Sequence, residues 1–94
     1  MISILAEIQV EDYARFIPVF TTRGKEARIK NGCLKSQVYR CEDPTKLIVL
    51  FDWESKEKFE GFLTDPFVKE AMKLSGTTAP PKFTFLDKAC EIPG

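Results

Sequence analysis

A chain of 94 residues makes one small domain, which buries only roughly 60–65% of the surface its unfolded chain exposes, so self-association would add usefully to its burial. Fourteen lysines and arginines balance fourteen aspartates and glutamates, leaving no electrostatic footprint for nucleic acid or for an anionic membrane. There is no histidine, which removes the usual general base, the usual metal ligand and the side chain that titrates near neutral pH.

Cys33, Cys41 and Cys90 are odd in number and lack Cys-x-x-Cys spacing, which argues against a disulfide framework or a thiolate metal site. No apolar run approaches the roughly 20 residues of a membrane span. A strand pattern begins at Ile2 with no basic-then-apolar leader, so the expected setting is the cytoplasm, with no membrane partner.

Met1 to Val10 alternates, with Ile2, Ile4, Ala6, Ile8 and Val10 on one face, and predicts a first strand. Glu11 or Asp12 suits a helix N-cap, and Tyr13, Phe16, Ile17, Phe20, Gly24 and Ala27 follow at helical spacing up to a stop at Asn31-Gly32. Pro18 lies inside this pattern and should kink it or delay its regular part. Leu34 to Cys41 predicts a second strand, and Glu42-Asp43-Pro44-Thr45 a turn.

Leu47 to Phe51 is uniformly apolar, as expected of a strand covered on both faces. Leu47, Val49, Phe51 and Trp53 share one of its faces, and Ile48 and Leu50 the other. A four-residue turn pairs Leu34 with Trp53, Lys35 with Asp52, Ser36 with Phe51 and Val38 with Val49. Ser55 caps a helix carrying Phe59, Phe62 and Leu63, and Asp65-Pro66 restarts it with Val68, Ala71, Met72 and Ser75 on one face. Gly76 stops it, and Lys82 to Cys90 predicts a last strand with Phe83 and Phe85 on one side.

Residues 1–94 thus read as a single α+β domain of order β-α-β-β-α-β. Two crossovers of that kind give a ferredoxin-like, four-stranded antiparallel sheet with the first and third strands central. Both helical crossovers cover one face. The other carries Leu5, Ile48, Leu50 and Tyr39, an apolar patch that predicts a homodimer with sheets packed face to face.

At Trp53-Glu54-Ser55, Phe59 and Asp65-Pro66-Phe67 the chain resembles the antibiotic biosynthesis monooxygenase family, and Asn31-Gly32-Cys33-Leu34 is similar to that family's entry into its second strand. The resemblance implies a dimeric α/β barrel with a pocket between sheet and helices in each subunit. It also implies oxidation of a small phenolic, quinol or polyketide-like aromatic by O₂ without any cofactor. A haem-degrading branch is implied to need a histidine and an asparagine where this chain has Met72 and Ile8, which argues against haem degradation.

For cofactor-free oxygenation the substrate must lose a proton and become an anion electron-rich enough to reduce O₂. Trp53 could stack on an aromatic ring and offer its indole N–H, while Arg40 and Ser36, on the same face, could stabilise a phenolate or developing oxyanion. These three are the candidate catalytic residues. Phe16, Phe51, Met72 and Leu34 are the candidate walls of the ligand pocket, and no metal is expected. Two other classes compete. An RNA-recognition domain shares the element order, but its third strand should carry a basic residue, glycine and alternating aromatics, whereas Lys46 to Trp53 has no glycine and the net charge is zero. A non-catalytic ligand-binding or sensing dimer would keep the pocket without turnover.

Overall fold

The computed structural model describes residues 1–94 as β1 (Ile2–Gln9), α1 (Tyr13–Phe20), α2 (Arg23–Lys30), β2 (Cys33–Arg40), β3 (Lys46–Trp53), α3 (Lys56–Thr64), α4 (Pro66–Leu74) and β4 (Lys82–Leu86). The four strands form one antiparallel sheet in the order β2-β3-β1-β4, the expected ferredoxin-like arrangement. Its two most apolar strands are central, where neither has a free edge. No helix is long and apolar enough to cross a membrane.

Each crossover is two short helices rather than one. Asp12 caps α1 by accepting from the Arg15 amide at 2.7 Å. Pro18 lies inside that helix and can donate no backbone hydrogen bond. The break comes at Thr21 and Thr22, whose hydroxyls bond back to the carbonyls of Ile17 (2.8 Å) and Pro18 (2.7 Å). This hydroxyl competition with the helix backbone, absent from a pattern based on apolar spacing, is why a kink became an interruption. Asn31 and Gly32 end α2, Gly32 at φ 101°, a conformation that favours glycine. In the second crossover Ser55 caps α3 and Asp65 caps α4, with Pro66 at its first position.

Alternation in β1 and β3 puts Ile4, Ala6, Ile8, Leu47, Val49, Phe51 and Trp53 beneath the helices, where they join Val10, Phe16 and Phe59 in one core. Lys35, Ser36 and Val38 face Asp52, Phe51 and Val49 as expected. The register differs at one point: Cys33, not Leu34, stands opposite Trp53, because β2 carries a bulge between Cys33 and Lys35. The extra residue is Leu34, which is left 56% exposed. The last strand is also shorter than predicted, ending at Leu86 where its pairing with β1 ends at Ser3.

Candidate functional site

Between the sheet and the helices lies a cavity of about 80 Å³ that opens to solvent. Ile8 and Phe51 form its floor from the sheet. Phe16, Val19, Phe20, Ala27 and Arg28 come from the first crossover, and Phe62, Val68, Ala71 and Met72 from the second. Phe16, the buried anchor of α1, stacks on Phe20 with ring centroids 5.1 Å apart, and Phe20 in turn lies 6.5 Å from Phe51. Three of the four predicted wall residues, Phe16, Phe51 and Met72, are therefore brought together.

The polar groups at this cavity are few. Ser75 donates its hydroxyl to the Met72 carbonyl at 2.7 Å, and the Thr77 hydroxyl lies 3.0 Å from it. A serine hydroxyl has a single proton, so Thr77 donates to Ser75 and both hydroxyls are engaged locally. Arg28 is the one charged side chain on the lining, and no carboxylate, thiol, tyrosine or lysine joins it.

Arg28 is only 7% exposed. Its guanidinium carbon sits 3.6 Å from the centre of the Phe20 ring, and Nη2 donates to the Phe20 carbonyl at 3.0 Å. Burial pulls its pKa down to about 10, with the Coulombic influence of Cys33 acting the other way, so it remains a cation at neutral pH. The sequence reading did not single it out. It lies among Arg23, Lys25, Glu26 and Lys30, and such a run ordinarily marks a solvated helix face. The available signal was Phe20, Gly24 and Arg28 at successive intervals of four, a stripe that continues past the break between α1 and α2.

The remaining predicted residues lie elsewhere. Trp53 is fully buried behind the cavity wall, its ring centroid 4.8 Å from Phe62, 5.2 Å from Phe59 and 6.1 Å from Phe51. Its indole N–H has no hydrogen-bond partner. Ser36 and Leu34 line a second, shallow depression of about 400 Å³ between α1, α2 and β2, together with Cys33, Lys25 and Lys35. The Ser36 hydroxyl is 3.5 Å from the Cys33 sulfur. Arg40 is exposed at the end of β2, where its guanidinium lies over Tyr13, 4.8 Å from the ring centre. The sheet register gives Arg40 the expected face, but three residues separate it from Ser36 along the strand, which carries it past the cavity.

The comparisons with known proteins concern the chain and its fold as a whole. The model of the family described as antibiotic biosynthesis monooxygenase matches residues 1–74. The chain belongs to the antibiotic biosynthesis monooxygenase family. SnoaB, a cofactor-independent oxygenase from Streptomyces nogalater, shares its fold with a TM-score of 0.76 at 14% identity, covering 99% of this chain and 97% of SnoaB. A monooxygenase from the ActVA-Orf6 gene of Streptomyces coelicolor, solved in complex with nanaomycin D, aligns with a TM-score of 0.68 at 21% identity, covering 99% of this chain and 92% of that one. Rv0793 from Mycobacterium tuberculosis gives 0.68 at 14% identity and covers 98% of each chain. Comparison with curated proteins finds no significant relative.

Proposed function

We propose that this family member is a cofactor-independent monooxygenase acting on a small phenolic, quinol or polyketide-like aromatic. The observation that carries this function is the aromatic-lined cavity built by Phe16, Phe51 and Met72 within a chain of this family. An apolar cavity of roughly 150 Å³ takes up benzene, so one of about 80 Å³ admits a ring only as its edge side chains shift. Met72 and Phe62, both half-buried, are placed to do so, methionine being the more adaptable. Phe62 also packs on the indole of Trp53, so its displacement would extend the cavity toward the residue proposed to stack on the ligand.

The chemistry follows from the reactants. A substrate carbanion gives one electron to O₂, the two radicals couple to a peroxide, and protonation with loss of water leaves a carbonyl. One oxygen atom enters the substrate and the other leaves as water. The cavity contributes dryness and position, which favour the anion's reaction with O₂ over competing protonation. We further propose that the chain acts as a homodimer through its open sheet face. A cytoplasmic setting suits its three free cysteines.

An oxygen electrode tests the activity directly. With anthrone or a hydroquinone as substrate, chelator present and no flavin or nicotinamide added, the protein should consume O₂ faster than buffer alone. Phe51→Ala, which opens the floor of the cavity, should lower kcat/KM by tenfold or more. Binding of the same aromatics with no O₂ uptake across the panel would assign the chain to ligand sensing instead.

A further inference from the structure

The buried cation on the cavity wall has no partner of opposite charge. Five ion pairs hold the surface of the molecule, and none includes Arg28. Of the five N–H donors of its guanidinium, one has an acceptor, the Phe20 carbonyl. A charge largely buried without a counter-ion is costly unless its free donors reach solvent or a ligand, and Nε and Nη1 of Arg28 are unbonded without being sealed from solvent. Here the surrounding chain is shaped to hold it. A β-carbon added at Gly24 would lie 3.0 Å from Nη1, and the group's central carbon lies 3.6 Å from the centre of the Phe20 ring.

The same cavity lacks any side chain able to take a proton from a substrate. A phenol or enol that must react as its anion therefore has to be stabilised in that form by the site. A neighbouring cation does this by lowering the ligand's own pKa. The shallow depression on the other side of Arg28 adds Lys25 and Lys35 and no carboxylate, so the charged side chains bordering it are all positive in a chain of zero net charge.

We propose that Arg28 is the anion-recognising residue of the cavity, and that it selects aromatic ligands bearing an ionised oxygen, a phenolate or carboxylate on the ring that enters. This rests on the cavity being the ligand site. A guanidinium presents paired N–H groups that match two carboxylate oxygens or one phenolate oxygen, and in a dry site such charge-assisted bonds are about twice as strong as neutral ones. Gly24 and Phe20 act as positioning residues that keep the guanidinium planar against the wall.

The test compares benzoate with benzamide, which match in shape and differ in charge, by NMR titration of the full chain at neutral pH. Wild type should bind benzoate at least tenfold more tightly than benzamide. Arg28→Met, which keeps the apolar stem over Phe20, should bind the two equally. Arg28→Lys should restore part of the preference. Equal binding of both compounds by wild type would overturn the role of Arg28 and leave the cavity standing as a ligand site, a result that needs no folded variant. A preference that survives in Arg28→Met would place the anion site at Lys25 or Lys35 and equally overturn it. Binding of neither compound, with O₂ uptake also absent, would remove the ligand site itself.

Discussion

Trp53 is both the largest fully buried side chain and the one whose polar atom lacks a partner. Removing it leaves a cavity among Phe51, Phe59 and Phe62, so Trp53→Ala should cost about 3–5 kcal/mol in urea denaturation. Trp53→Phe removes less volume and also the orphaned N–H, whose burial is itself unfavourable, and should cost under about 1.5 kcal/mol. A loss near zero for the alanine variant would contradict its place in the core. If Trp53 also serves the reaction, the phenylalanine variant should lose O₂ uptake out of proportion to stability. At this scale the sequence disclosed the apolar residues well, since alternation alone puts Phe51 and Trp53 inward. It disclosed Arg28 and Leu34 poorly. A buried arginine has the same letters around it as a solvated one, and a bulge that moves one residue out of register leaves no mark on the alternation before it.

Among the elements, the joint at Asp65 is the most heavily bonded. Its Oδ1 accepts from the Phe67 amide at 2.9 Å and its Oδ2 from the Asn31 side chain at 3.1 Å, which ties the end of α2 to the start of α4. Asn31 first, then Phe67, holds the carboxyl below its ordinary value of 3.8. A depressed native pKa means that the stabilisation is fully present above the unfolded value and is lost as pH falls through the native one. Asp65→Ala should therefore lower Tm at neutral pH, and its deficit against wild type should shrink once pH falls below 3.8. Asp43 is lowered too, by the Thr45 hydroxyl and amide, but it titrates equally in both proteins and cancels in the difference. A deficit independent of pH would mean that packing at the joint, not the ionised carboxylate, holds it. This restart was legible because Asp-Pro is a strong local signal; the break at Thr21 and Thr22 depends on hydroxyls that only a formed helix gives something to bond.

On the scale of the whole molecule, one face of the sheet is covered and the other is open. Leu5, Ile48 and Leu50 are half-buried there, while Tyr39 is 49% and Leu86 41% exposed. Around them Ser3 donates to Asp52 at 2.8 Å, and Glu7 pairs with Lys46 at 3.4 Å and with Lys82 at 3.9 Å, a polar frame around an apolar centre. Light scattering at micromolar concentration should give about twice the 10.7 kDa chain mass, and Leu50→Glu should reduce it to one. A wild-type chain that stays at single mass under those conditions would reject the face-to-face pairing.

The residue that closes α3 is also the residue that opens α4, and nothing lies between them. On one side of it Phe59 and Phe62 pack against the indole, Phe62 also reaching the cavity, and on the other Val68, Ala71 and Met72 line the cavity. The offset between aromatic cluster and cavity wall is thus counted in residues, like marks on a ruler. Side chains on either side can drift as long as the count holds. A one-residue insertion beside Asp65 would therefore do more to the cavity than most substitutions within it.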